Sequence, residues 1–138
     1  MVLVSPDWYL NSTYPLDEGD GDSVPDDAWR TIVLHRAGTS QSTMQAIVIC
    51  LTGPAPEYVT EDVNSSTSTE VVKTKCPPGS VVVGGGAFIG GAIDQGHLVK
   101  SVPYDSKDDG KVPDDGWTAK FSNDDLSSRS YQAIAICR

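Results

Sequence analysis

Tyr14-Pro15-Leu16-Asp17-Glu18-Gly19-Asp20-Gly21-Asp22-Ser23-Val24-Pro25-Asp26-Asp27-Ala28-Trp29 aligns without a gap on Val102-Pro103-Tyr104-Asp105-Ser106-Lys107-Asp108-Asp109-Gly110-Lys111-Val112-Pro113-Asp114-Asp115-Gly116-Trp117, at an offset of 88. Further on, Gln45-Ala46-Ile47-Val48-Ile49-Cys50 matches Gln132-Ala133-Ile134-Ala135-Ile136-Cys137 at an offset of 87, which implies one deletion between the blocks. Two separated blocks in the same order point to an internal duplication, and a fixed-period repeat decides the architecture before any single element does. The second copy also has an upstream piece, Cys76-Pro77-Pro78-Gly79-Ser80-Val81-Val82-Val83-Gly84-Gly85-Gly86-Ala87-Phe88. Its counterpart in the first copy would fall before residue 1, so the expectation is about one and a half units, the first truncated.

The blocks read as strands. Tyr131 to Cys137 sets Tyr131, Ala133, Ala135 and Cys137 on one face and Ile134 and Ile136 on the other, the period of two expected of a strand. No window sustains the 3.6-residue period of a helix. Turn chemistry separates the runs: Val-Pro-Asp-Asp-Gly, Ala-Gly-Thr-Ser, Ser-Asn-Asp-Asp and Pro-Pro-Gly. Strands are predicted at Leu3 to Val4, Leu10 to Tyr14, Trp29 to His35, Met44 to Leu51, Glu70 to Lys75, Ser80 to Phe88, His97 to Val102, Trp117 to Phe121 and Ser130 to Cys137. Short strands at regular spacing predict an all-β fold, an antiparallel β-sandwich with a barrel as the alternative, with pseudo-two-fold symmetry from the duplication. A single domain of 138 residues is expected, with a truncated first copy over 1–51, a linker over 52–69 and a complete second copy over 70–138.

The formal charge of −9, from 19 acidic against 10 basic residues, crowds into Asp-rich loops that repel phosphates and anionic headgroups. Nucleic acid is therefore not an expected partner, whereas cations and neutral sugars are compatible. The longest apolar stretches fall far below the roughly 20 residues of a membrane helix, so the chain is not expected to span a bilayer. The opening Met-Val-Leu-Val-Ser-Pro-Asp-Trp lacks the basic and apolar regions of a secretory leader.

Asp17, Asp20, Asp22, Asp26 and Asp27 in one loop and Asp105, Asp108, Asp109, Asp114 and Asp115 in the other are the candidate metal ligands, hard oxygens of the kind calcium prefers. The EF-hand pattern itself is absent. The competing reading makes Pro-Asp-Asp a tight turn whose carboxylates bond to nearby backbone. The run Val83-Gly84-Gly85-Gly86-Ala87-Phe88-Ile89-Gly90-Gly91 fails as a dinucleotide fingerprint or P-loop and reads instead as a bulge or a close approach of another segment. His35 and His97 belong to no recognisable metal or nucleophile motif. Trp29 and Trp117, repeat-equivalent at strand starts, are predicted core residues. Trp8, Tyr9 and Tyr104 are candidate ligand-binding aromatics, a flat apolar face beside Asp acceptors being suited to a sugar ring; the alternative for Trp8 and Tyr9 is a strand pinned by its aromatics.

The set Cys76-Pro77-Pro78-Gly79, Val83-Gly84-Gly85-Gly86-Ala87, Ser101-Val102-Pro103, Trp117 and Tyr131-Gln132-Ala133-Ile134-Ala135-Ile136-Cys137 resembles a recurring module of uncharacterised bacterial exported proteins, which has Cys-Pro-x-Gly, Gly-Gly-Gly-Ala, Ser-x-Pro, Trp and Ala-Ile-Cys elements. The likeness covers Cys76 to Cys137 and, more weakly, about Leu10 to Cys50. It implies an exported β-rich protein and no particular chemistry, and this chain departs from it in the long Asp-rich insertions before each Trp. An exported module implies a Cys76–Cys137 disulfide, with Cys50 left over; three buried reduced thiols are the alternative.

The resulting expectation is a non-enzymatic extracellular binding module that recognises a carbohydrate or other cell-surface ligand through its loops with calcium. The contrasting expectations are a structural protein that homo-oligomerises through an open sheet edge, and a hydrolase using loop aspartates such as Asp26 or Asp114.

Overall fold

The computed structural model describes residues 8–18, 24, 25, 27–35, 48, 50, 52–91, 95–106 and 112–138. They form eight strands and no α-helix: β1 (Trp8–Leu16), β2 (Ala28–His35), β3 (Glu57–Ser65), β4 (Thr69–Lys75), β5 (Val82–Ile89), β6 (Gly96–Tyr104), β7 (Gly116–Asn123) and β8 (Arg129–Cys137). A five-stranded sheet in the order β2-β1-β5-β8-β3 faces a three-stranded sheet in the order β4-β7-β6, and every ladder is antiparallel. The fold is a sandwich, and its sheets do not close into a barrel.

The interior follows from the alternation of β8. Tyr131, Ala133, Ala135 and Cys137 are all fully buried. The small alanines leave room for the opposing sheet, whose Phe121 ring lies 5.1 Å from that of Tyr131. Val72, Ala87, Ile89, Leu98 and Ala119 complete this core. The glycine run serves close approach, as expected. A β-bulge interrupts the ladder between Val82 and Gly84, and a Cβ on Gly85 would run into the Trp117 indole and the Ile134 carbonyl. Trp117 thereby lies against bare backbone, beside a second cluster of Cys76, Ala135 and Cys137 with Val59 and Val82.

Cys76 and Cys137 form a disulfide with their Cα atoms 5.7 Å apart, while Cys50 is free and exposed. Closing a loop of 61 residues contributes about 4 kcal/mol in the chain-entropy view.

The duplication is visible in the hairpins at the level of single residues. In β1–β2 the register runs from Trp8 opposite His35 to Leu16 opposite Ala28; in β6–β7 it runs from Gly96 opposite Asn123 to Tyr104 opposite Gly116. Every one of these positions is displaced by the sequence offset, and both ladders slip at the same place, Leu10/Ser12 and Leu98/Lys100. The Trp29 indole N–H donates to Thr13 Oγ1 at 2.8 Å, and the Trp117 indole N–H to Ser101 Oγ at 2.8 Å. The two hairpins nevertheless enter opposite sheets of different size.

The span 52–69, expected as a linker, carries strand β3, which pairs with β8 along its whole length from Glu57–Cys137 to Ser65–Arg129. Prolines and a Ser/Thr run flank it, and its own residues are mostly exposed, so no core pattern marks it. The expected strand Leu3 to Val4 lies outside the described residues, as does most of Met44 to Leu51, of which Val48 and Cys50 are described.

Candidate functional site

The two copies of the hairpin differ in what surrounds them. In the second copy, β7 is central: β6 pairs on one side and β4 on the other, from Thr69 opposite Ser122 to Lys75 opposite Gly116. In the first copy, β2 pairs with β1 alone and is the edge of its sheet among the described residues. The three-stranded sheet also stops short of it, because β6 packs over β1 and β5 rather than over β2. Burial records the consequence. Gly116, Ala119, Phe121 and Asn123 of β7 are buried, whereas no residue of β2 is. Val33 and Thr31, the counterparts of Phe121 and Ala119, remain half-buried.

Unpaired edges invite pairing with another chain and are ordinarily protected by charge or proline. Among the four edge strands, β3 carries Glu57, Glu61 and Asp62, β4 carries Glu70, Lys73 and Lys75, and β6 carries Lys100 and Pro103. On β2 the run is Ala-Trp-Arg-Thr-Ile-Val-Leu-His, with Arg30 near one end as its single Lys, Arg, Asp or Glu. Ile32 and Leu34 stand where β7 has Lys120 and Ser122.

At the start of β2 lies a cavity of about 510 Å³ lined by Pro15, Trp29, Val48, Cys50, Tyr58 and Arg138 among others. Three of its lining residues correspond to members of a packed cluster in the second copy, and residues of the second copy, Val83, Gly84 and Ile136, line it as well. In that cluster Trp117, Ala135 and Cys137 pack with Cys76 and Val82, and Trp29, Val48 and Cys50 are the residues at the corresponding positions.

The acidic turns take up the two predicted Pro-Asp-Asp segments. Asp27 accepts the Glu18 N–H at 2.9 Å, and its counterpart Asp115 accepts the Ser106 N–H. The Ser106 backbone bond is the largest of the effects holding the Asp115 carboxyl below the usual carboxylate range. Both turns lie at the same end of the sandwich, since the Asp114 carbonyl accepts the Val82 N–H at 2.7 Å while Val83 lines the cavity with Pro15 and Pro25. Asp17 and Asp105 are described in these turns; Asp20, Asp22, Asp26, Asp108 and Asp109 lie outside the described residues. No metal-suited group of three or more His, Cys, Asp or Glu occurs among the described residues.

The candidate aromatics are packed against rings or cations. Trp8 stacks on His35 with centroids 4.4 Å apart, and Tyr9 on His97 at 5.0 Å. Trp8 Nε1 and His35 Nε2 are buried without a hydrogen bond among the described residues. Tyr104 receives the Lys73 ammonium 5.3 Å from its ring centroid, and burial followed by the Asp115 charge raises its phenol pKa.

Two polar nodes were not legible in the sequence. At the β1 bulge, fully buried Asn11 donates from Nδ2 to the Gly96 carbonyl at 3.0 Å, and the Ser12 hydroxyl accepts the Ile89 N–H at 3.0 Å. This stitches the first-copy hairpin to β5 and β6. In the β7–β8 turn, buried Arg129 donates to Asn123 Oδ1 at 3.0 Å and to both oxygens of Asp125 at 2.9 Å. That guanidinium, foremost among several partners, depresses the Asp125 carboxyl to about 2. No protein-family model, curated protein or solved structure matches this chain.

Proposed function

We propose that this chain is a non-enzymatic extracellular assembly module that takes up a strand from a partner along β2. The observation that carries the reading is the contrast between two copies of one hairpin: β7 has β4 on its outer edge, whereas among the described residues β2 has no strand on its outer edge and carries Arg30 as its single Lys, Arg, Asp or Glu. Strand addition of this kind draws affinity from main-chain hydrogen bonds and selectivity from alternate side chains. The Cys76–Cys137 bond supports an oxidising, extracellular setting. The geometry favours this reading over sugar or calcium binding by the loops, because Asp27 and Asp115 are engaged in closing their turns and the Trp8 and Tyr9 rings lie against histidines.

The test uses a synthetic peptide with the sequence of Ser68 to Ser80 and Cys76→Ser, added to the intact protein. Slowed hydrogen exchange at the β2 amides supports the reading. Unchanged β2 exchange at millimolar peptide rejects it.

A further inference from the structure

We infer that the outer face of the three-stranded sheet binds a linear acidic polysaccharide, whose carboxylate or sulfate groups meet Lys73, Lys100 and Lys120. This face belongs to the opposite sheet from β2, so its binding is independent of strand uptake.

The register assembles the face from three strands. Lys120 of the central β7 stands directly opposite Lys100 on β6 and Val71 on β4. One step along, Thr118 has Lys73 on one side and Val102 on the other; at the next step Gly116 is flanked by Lys75 and Tyr104. These rows hold four of the chain's six lysines and no Asp or Glu, in a chain with 19 acidic residues against 10 basic. All four lysines are exposed, and Val71 beside them is 47% exposed. The net charge of −9 conceals this cationic face because the acidic residues lie elsewhere.

The fold itself does not call for the cluster. Like charges directly opposite one another on neighbouring strands destabilise a sheet, and the first copy holds Ser12 opposite Ile32 where the second holds Lys100 opposite Lys120. Edge protection explains charge on outer strands, but Lys120 is on β7, which is paired on both sides. An anion bound between the lysines relieves their repulsion.

Shape and charge select the occupant. The β6–β7 turn at one end of the face carries Asp105, Asp114 and Asp115, and the β7–β8 turn at the other carries Asp124 and Asp125. A broad anionic surface such as a bilayer or a duplex would overlie both acidic ends, whereas a narrow chain crossing the strands meets the lysine rows alone. Two interstrand spacings put Lys73 and Lys100 about 10 Å apart across the sheet, with Lys120 on the strand between them. Single-stranded nucleic acid relies on aromatic rings for stacking. The ring on this face, Tyr104, lies over Gly116 and has the Lys73 ammonium 5.3 Å from its centroid. An extended peptide pairs through a sheet edge, not a sheet face. Val71 and Val102 offer apolar contact to the C–H faces of sugar rings, and the Cys76–Cys137 bond supports the extracellular setting in which such polymers occur.

The experiment titrates the intact protein with heparin and with polygalacturonate at low and at physiological ionic strength. Neutral dextran, poly(dT), polyglutamate and phosphatidylserine vesicles are run beside them. An acidic polysaccharide should bind, more weakly as salt rises, and dextran should not. Lys100→Ala and Lys120→Ala should each weaken binding about five-fold, Lys120→Arg should retain it, and Arg138→Ala, which removes the same charge away from this face, should leave it unchanged. Neither alanine variant should lower Tm, because each removes one member of a repelling pair. Absence of binding to both polysaccharides at low salt overturns the inference, as does binding that survives Lys100→Ala and Lys120→Ala together. Equal or tighter binding of poly(dT), polyglutamate or vesicles through the same lysines overturns it in favour of that class of partner.

Discussion

Replacing Gly85 by Ala tests how the second-copy tryptophan is seated. A Cβ built at Gly85 approaches the Ile134 carbonyl to 2.5 Å and meets the Trp117 indole. Side-chain rotation relieves neither contact, because the carbonyl belongs to β8, paired on both sides by β5 and β3, and the indole is tethered to Ser101. Over-packing of a well-filled interior costs about 1–3 kcal/mol, and an immovable backbone obstacle places Gly85→Ala at the upper end, about 3 kcal/mol. For a chain of this size that corresponds to a fall in Tm of about 12 °C. Gly84→Ala is the internal control: its Cβ would lie 3.4 Å from Ile136 Cδ1, the flexible end of a side chain, and should change stability by less than about 0.5 kcal/mol. Urea unfolding followed by tryptophan fluorescence under non-reducing conditions measures both. Equal losses for the two variants, or a loss below about 0.5 kcal/mol at Gly85, would refute the close-approach account of the glycine run.

Cutting the disulfide with Cys76→Ser should lower stability by about 4 kcal/mol, and thermal melts of the variant beside the oxidised protein check it. Thr13→Val and Ser101→Ala each remove the acceptor of an equivalent indole bond, so each should cost about 1 kcal/mol; a large loss at one and none at the other contradicts equivalence of the hairpins. The Asp125 carboxyl has its pKa depressed from 3.8 to about 2 in the folded protein, so its stabilising contribution is complete above 3.8 and disappears as pH falls through about 2. Acid titration of the wild-type protein beside Asp125→Asn should show that component missing from the variant within this window, and superimposable acid limbs would contradict it.

Much of the architecture could be read from residue order, for identifiable reasons. Turn residues punctuate the chain, and alternation in Tyr131 to Cys137 faithfully reports a strand with one face sealed by the opposing sheet. The repeat predicted equivalence of Trp29 and Trp117, and the indole bonds bear it out. Strand β3 escaped because an edge strand needs little apolar sequence, and Glu57, Glu61 and Asp62 mask it as loop. The sheet that each hairpin joins was equally hidden: hairpin register is local, whereas the choice between β5 and β4 as neighbour depends on contacts far apart in sequence. Asn11 resembled an ordinary polar strand residue, since its burial arises from a bulge that opposes two residues to one. The outer edge of β2, unpaired among the described residues, emerged only when the two hairpins stood in different surroundings.

Residue-resolved hydrogen exchange on the intact protein, comparing β2 with β7, tests the central claim most directly. With β2 paired on one side alone among the described residues and β7 paired on both, alternate amides between Trp29 and Leu34 should exchange about a hundred-fold faster than their counterparts between Trp117 and Ser122. Uniformly slow exchange along β2, matching β7, would contradict the account.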